Sequence, residues 1–279
     1  AGALNAGARR GARGNIAPAM STAAPPTQPL PIRPATLASP WRWLALGWHD
    51  FSRNPGPGLI HGAALVVFGA VLFALAYDRF WLLAGAFSGF LLLAPILATG
   101  LYAVSRGFER GERVDMRTAL AAWRPHNRQL VTFGVLLAAA GTGWVLTSAA
   151  LITLFAEAPV RSPVDFLRVV VLSRESLLFE AWLVLGGALA APVFASSVVA
   201  IPLLLDREVA LWRAVLTSWH AVVEHPLPMA LWAAILMLAT TVAIAAGLVG
   251  LLVVVPWLAH ASWHAYRDLV DASSLPQAP

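Results

Sequence analysis

Long apolar runs dominate the hydrophobic pattern of the chain. Runs of this length are typical of helices that cross a membrane, since about 20 apolar residues span the roughly 30 Å hydrocarbon layer. The last run is long enough for two crossings. The pattern therefore predicts an all-α transmembrane bundle of about six spans in three hairpins, with short amphipathic interfacial helices between them. The runs cover residues 58–77, 80–105, 130–156, 178–205 and 229–266.

The arginines between these runs predict the topology. All 19 basic residues are Arg, and with six spans the two sides of the membrane would hold 15 and 4 of them. Basic residues concentrate on the cytoplasmic side of membrane proteins, so we expect both termini to be cytoplasmic. Termini on one side require an even number of spans. This favours a division of the last run near Gly247 to Gly250, where glycine permits a tight reversal.

Composition adds the expected domain boundaries. Charged residues make up 12% of the chain and hydrophobic residues 59%, so no separate soluble domain is expected. Residues 1–39 are rich in Ala, Pro and Arg and predict a disordered tail. Residues 40–270 form the predicted membrane domain, and residues 271–279 a short C-terminal tail. Met20 is an alternative start of the natural chain.

Two blocks of the sequence repeat at an offset of 171 residues. Each block predicts a short amphipathic helix at the membrane interface, where tryptophan is favoured. A proline-marked turn and an outgoing span follow. The matching residues are Trp41-Arg42, Trp48-His49, Pro55 and Pro57 in the first block, and Trp212-Arg213, Trp219-His220, Pro226 and Pro228 in the second.

Prolines in the returning spans extend the repeat to three copies. Pro95, Pro192 and Pro256 each lie in a predicted returning helix. The unit is therefore predicted to be an interfacial helix plus a hairpin, used three times in parallel orientation. The middle copy is degenerate, because it keeps Trp123 but lacks the proline pair. The alternative is that these prolines reflect convergent helix punctuation.

His260 and His264 are candidates for a binding site. They lie four residues apart, hence on one face of the last helix, and this spacing can hold a metal ion or present one ligand to haem. The alternative is that both belong to an interfacial belt with Trp257, Trp263 and Tyr266. No carboxylate stands between them, so the zinc-protease pattern is absent. No cofactor is predicted.

Two further ionisable residues lie within or beside predicted spans. His61 is near the start of the first span, where it either carries a function or bonds a neighbouring carbonyl group. Glu180 is at the outer start of the fourth span. Intramembrane acids mark ion pathways, but the helix dipole also favours an acid at that position. Glu180 is a candidate for proton or ion coupling, and His61 is a candidate intramembrane ionisable group.

Several other classes of function find no support. Arginines at helix ends explain the basic composition better than nucleic-acid binding does. Cysteine is absent, which excludes disulfides and thiol nucleophiles. No phosphate-binding glycine loop and no nucleophile elbow is found, so no catalytic residue is predicted.

Small residues at Gly85/Gly89, Gly186/Ala190 and Gly187/Ala191 permit close helix packing, within the bundle or in a homo-oligomer.

Two charged segments end predicted spans. Residues 106–113 follow the second span, and residues 206–208 follow the fourth. Each segment is interpreted either as a solvated loop with local ion pairs or as a surface that binds a partner.

Segments distributed over most of the chain resemble a known family. On these residues the chain resembles a bacterial inner-membrane protein family known as the domain of unknown function 2189. The resemblance implies a multi-pass protein of the bacterial inner membrane and carries no chemistry with it. The matching segments are residues 43–50, 54–57, 89–95, 100–106, 109–112, 201–207 and 260–267.

The leading functional hypothesis is a non-catalytic membrane scaffold, assembly factor or accessory subunit, because few polar groups lie within the spans. The expected partners are the lipid bilayer and either another membrane protein or a second copy of the chain. Nucleic acid is not expected. The first alternative is a small-solute or ion transporter, based on the repeat, the prolines and Glu180. The second is haem or metal handling through His260 and His264.

Overall fold

The computed structural model describes residues 28–76, 98–121, 128–173 and 176–278. The short helix Pro163–Asp165 and the π-helical turn Phe166–Val171 lie between Phe155 and Leu178. The main helices are α1 (Ser39–Arg53), α2 (Pro55–Ala76), α3 (Thr99–Glu109), α4 (Met116–Ala121), α5 (Arg128–Phe155), α6 (Leu178–Ser197), α7 (Ala200–Asp206), α8 (Leu211–Glu224), α9 (Pro226–Ala245) and α10 (Leu251–Leu269).

Four helical segments in the described part of the chain are long and apolar enough to cross a membrane. They correspond to α2, α5, α6 continued by α7, and α9. The predicted all-α membrane bundle is thereby confirmed. Most of the predicted second span, residues 80–97, lies outside the described residues, as do Pro95, Gly85/Gly89, Trp123 and Met20.

The last apolar run forms two helices. α9 ends at Ala245 and α10 begins at Leu251. Between them Gly247 has a φ of +75° and Leu248 a φ of +69°, left-handed values that reverse the chain. The predicted division near Gly247 to Gly250 is confirmed.

The two repeated blocks have matching structures. α1 and α8 end 171 residues apart, and α2 and α9 begin at the equivalent prolines. One residue bends the chain in each block: Asn54 has φ −147° and ψ 84°, and His225 has φ −125° and ψ 58°. Trp41 and Trp212 are both exposed. The same local sequence therefore produces the same helix, bend and outward tryptophan twice.

The helices pack as a ring of three units. Each short helix packs against the returning helix of the preceding unit: α4 against α3, α8 against α6 and α7, and α1 against α10. The returning helices α3, α7 and α10 also contact one another. The contact of α1 with α10 joins the first unit to the last and so closes the ring. We call the end that carries α1, α4 and α8 the polar end.

The predicted disordered tail extends too far. Its described part, residues 28–38, packs onto the bundle rather than standing free. Leu30 is buried, and its backbone N–H donates to Thr217 Oγ1 at 3.0 Å. The N–H of Arg33 donates to the Leu269 carbonyl at 2.7 Å. Apolar side chains between the prolines supply buried surface, and burial of apolar surface stabilises the packed segment. The average composition of residues 1–39 does not show these individual side chains.

The predicted C-terminal tail is also packed. The Glu208 N–H donates to the Pro276 carbonyl at 3.0 Å, and the Ala278 N–H donates to the Asp206 carbonyl at 2.9 Å. The part of the chain that packs onto the bundle therefore extends beyond both boundaries of the predicted membrane domain, residues 40–270.

Glycines allow α1 and α2 to touch the backbone of α10. A Cβ atom built on Gly47 would lie 2.5 Å from the Ala261 nitrogen, and one built on Gly62 would lie 2.6 Å from the Leu252 Cα atom. Such distances leave no room for a side chain. Of the small residues singled out above, Gly186 faces the Trp144 ring, whereas nothing lies within 4 Å of a Cβ at Gly187.

We expect Gly62→Ala to destabilise the protein by roughly 1–3 kcal/mol, because the new methyl group forces α2 away from α10. Gly143→Ala is the matched control, since Gly143 is helical and nothing lies within 4 Å of its Cβ position. Denaturant unfolding in detergent micelles measures both variants. Equal stability of the two variants would contradict the close packing at Gly62.

Candidate functional site

Four polar side chains form a buried cluster near the polar end, which we call the histidine cluster. Asp50 comes from α1, Ser105 from α3, and His260 and His264 from α10. Ser105 Oγ donates to Asp50 Oδ2 at 2.7 Å. His264 Nε2 lies 2.8 Å from the same oxygen, and His260 Nδ1 lies 2.7 Å from Ser105 Oγ. Three sequence-distant helices are thus joined through one carboxylate.

The close packing of α1 on α10 explains how this cluster forms. Asp50 follows Gly47 by three residues, so both lie on one face of α1. His260 and His264 flank Ala261, the residue that Gly47 touches. The glycine therefore brings the Asp50 carboxylate within reach of the imidazole of His264.

Hydrogen-bond geometry assigns the protons in the cluster. Ser105 has one hydroxyl hydrogen, which it donates to Asp50, so its oxygen accepts from Nδ1–H of His260. His260 Nε2 then carries a lone pair. This atom is buried, and no hydrogen-bond partner for it is found within the described ranges.

Asp50 is a stabilised carboxylate. Burial by itself raises its pKa, but the hydrogen bonds from His264 and Ser105 outweigh that effect. The pKa of Asp50 therefore lies below its usual value of 3.8. Asp50 is ionised at neutral pH and can anchor both of its donors.

The metal or haem hypothesis for His260 and His264 stays a prediction. One ring nitrogen of each histidine has a hydrogen-bond partner: His260 Nδ1 is bonded to Ser105, and His264 Nε2 is bonded to Asp50. Among the residues that the structure describes, no three His, Asp or Glu side chains are grouped so that they could hold a metal ion. The two histidines act as hydrogen-bonding groups inside the bundle.

The interfacial-belt alternative is wrong for Trp263 and Tyr266. Trp263 and Tyr266 are fully buried, and each directs its polar atom at an acid. Trp263 Nε1 donates to Glu109 at 3.0 Å, and the Tyr266 hydroxyl donates to Asp206 at 2.8 Å. The polar face of α10 points into the protein, because the ends of α3 and α7, which carry Glu109 and Asp206, lie against it.

Asp206, at the end of α7, is the centre of a second polar cluster, the Asp206 cluster. It is only 3% exposed. Arg207 Nε lies 3.0 Å from its carboxylate, Arg267 Nη1 3.7 Å and Arg110 Nη2 4.0 Å. Together with Tyr266, these groups bring the ends of α3, α7 and α10 onto one buried acid. A buried charge needs such partners, because desolvation without them is costly.

Glu109 and Arg106 extend the Asp206 cluster. Arg267 Nε donates to Glu109 at 3.0 Å, and Arg106 Nη1 donates to the Leu205 carbonyl at 2.9 Å. The prediction of solvated loops or partner surfaces for residues 106–113 and 206–208 misses the burial of Asp206. The available signal was the equal spacing of Arg106 and Arg267, eleven residues after Pro95 and Pro256.

The other two sequence candidates are not hydrogen-bonded members of either cluster, although His61 interacts electrostatically with His260. His61 is in the second turn of α2, and its Nδ1 lies 2.8 Å from the Pro57 carbonyl, the local hydrogen bond named as its alternative. Glu180 is exposed in the first turn of α6. The structure does not bring these two residues together.

We expect Asp206→Asn to lower the free energy of unfolding by about 3 kcal/mol, because three arginines and a tyrosine lose their shared anion. Glu208→Gln is the control, since Glu208 is exposed two residues farther along. Thermal unfolding in detergent micelles measures both. An Asp206→Asn protein as stable as the control would show that the cluster is not needed for stability.

Comparison with models of known protein families gives a match. Residues 82–206 match the family described as Predicted integral membrane protein (DUF2189). No curated protein and no solved structure matches the chain. The matched range ends at Asp206, so it includes α3 to α7 and the central acid of the Asp206 cluster.

Proposed function

We propose that the protein, whose residues 82–206 match the family of predicted integral membrane proteins, is a non-catalytic membrane scaffold or accessory subunit. Its partner is a second membrane protein, which binds within the hydrocarbon layer. The observation that carries the proposal is the internal use of the polar groups: the Asp50 and Asp206 carboxylates bind side chains of their own bundle.

The two clusters suit a structural role. A catalytic or transport site keeps polar atoms directed at a space that a substrate can enter. Here Ser105, His260 and Asp206 are all buried, and their hydrogen bonds connect helices from different units. Such contacts stabilise one arrangement of the bundle, which is what a platform for another protein requires.

A surface of small residues on α6 supports a partner contact within the membrane. Gly186 is used inside the bundle against the Trp144 ring, but nothing lies within 4 Å of a Cβ at Gly187. Ala191, one turn farther along, is also exposed. Small residues four apart let a second helix approach closely, which favours helix association in lipid.

The transporter alternative has less support from the described residues. Glu180, its main candidate, is exposed in the first turn of α6 rather than buried within the bundle. Pro192 lies in an apolar wall at the outer surface. We therefore retain the scaffold as the proposed function.

We expect the tagged protein to retain a membrane-protein partner during gentle purification from native membranes. Gly187→Leu should lower the recovered partner about tenfold, equivalent to roughly 1.4 kcal/mol. Gly143→Leu should leave it unchanged, because Gly143 is an equally open glycine on α5. Quantitative mass spectrometry of the eluate measures the ratio. A wild-type protein that always elutes alone as a monomer would contradict the proposal.

A further inference from the structure

A groove with a volume of about 480 Å³ opens on the outer surface between α5, α6 and α8. This volume falls within the roughly 300–1,000 Å³ of sites that bind small organic molecules. Its wall is apolar except for Ser196, whose hydroxyl accepts a hydrogen bond from Trp219 Nε1 at 2.9 Å. The lining includes Phe133, Ala140, Pro192, Val193, Trp212 and Val215.

The repeat explains why the groove exists. At the equivalent boundary between α1 and α10, the residue after the returning-helix proline is Trp257. Its ring contacts Trp48 with centroids 5.5 Å apart, and its Nε1 donates to the Leu44 carbonyl at 2.8 Å. At the α6–α8 boundary the residue after Pro192 is Val193. A small side chain therefore stands where the sister boundary has an indole ring.

The groove lies at the depth of lipid acyl chains. α5 begins at Arg128, and at 1.5 Å per residue Phe133 is about 8 Å and Ala140 about 18 Å farther along the axis. The hydrocarbon layer is roughly 15 Å deep in each leaflet. With Arg128 at the headgroup level, the groove runs through most of the depth of one leaflet.

Polar groups meet at the mouth of the groove. The Leu211 N–H donates to Gln129 Oε1 at 3.2 Å, which joins the beginnings of α5 and α8. Arg128 is exposed beside Gln129, and Trp212 is 64% exposed beside Leu211. The Arg213 guanidinium is directed elsewhere, with Nε donating to the Gln28 carbonyl at 2.8 Å. A cation and an indole at this level match a phosphate and the ester region of a lipid.

We propose that this groove binds one phospholipid, with an acyl chain along Val193 and Val215 and the phosphate at Arg128. The acyl chain fills the space that the Trp257 side chain fills at the equivalent boundary between α1 and α10. It thereby holds α8, from the third unit, against α5 and α6 of the second. The proposal is independent of the partner contact at Gly187, because the groove and the exposed glycine use different residues.

Native mass spectrometry of protein extracted from nanodiscs of mixed anionic and zwitterionic phospholipid tests the proposal. The wild type should retain one phospholipid. Val193→Trp reproduces the sister boundary and should lower the retained fraction about tenfold. Val184→Trp is the control, because Val184 is on the same helix, is exposed and does not line the groove. A wild type that retains no phospholipid, or only detergent, would overturn the proposal, as would equal retention in the two variants.

Two further comparisons complete the test. Ala140→Trp fills the groove from α5 and should also release the lipid. Ala139→Trp, the adjacent exposed control, should not. This pair decides the matter if Val193→Trp fails to fold. Arg128→Gln should lower retention of anionic phospholipid about fivefold, which corresponds to the roughly 1 kcal/mol of one basic side chain at a membrane surface. Unchanged retention in Arg128→Gln would overturn the placement of the phosphate.

Discussion

The close approach of α1 and α2 to α10 is the constraint on which the rest of the structure depends. Gly47 brings the α1 backbone against Ala261, and Gly62 brings α2 against Leu252. Neither contact tolerates a side chain, so the bundle closes only where glycine stands at both positions. Once α1 lies on α10, Asp50 reaches His264 and the first unit of the ring meets the last. The closed ring then fixes where the polar side chains of α10 must point.

Burial of the polar face of α10 accounts for the character of the polar end. The helix begins in apolar sequence and ends with histidines, Tyr266 and Arg267. In an ordinary interfacial helix those groups would face water. Here the ends of α3 and α7 cover them, and Asp206 and Glu109 supply the compensating charges. Residues that resemble a binding motif in the sequence thereby become the hydrogen bonds between units, which is consistent with a platform rather than a catalyst.

Local patterns in the sequence predicted the features that local physics determines. The lengths of the apolar runs predicted α2, α5, α6 and α9. The arginine distribution requires an even number of spans, and together with Gly247 and Gly250 it predicted the turn before α10. The long-range features could not be predicted. Nothing around Gly47 or Gly62 distinguishes a helix contact from an ordinary glycine, and Asp206 reads as a loop residue until α10 is placed beside it. The Ala-, Pro- and Arg-rich composition of residues 1–39 predicts too little buried surface for packing, although Leu30 alone gives residues 28–38 a buried anchor.

Cysteine cross-linking of α1 to α10 tests the closed ring most directly, because the chain has no cysteine of its own. The side chains of Arg42 and Asp268 form an ion pair across this contact at the exposed polar end. The double variant Arg42→Cys/Asp268→Cys, treated in membranes with a short bifunctional thiol reagent, should form an intramolecular cross-link that neither single variant shows. Labelling of both cysteines without any cross-link would contradict the closure of the ring by α1 and α10.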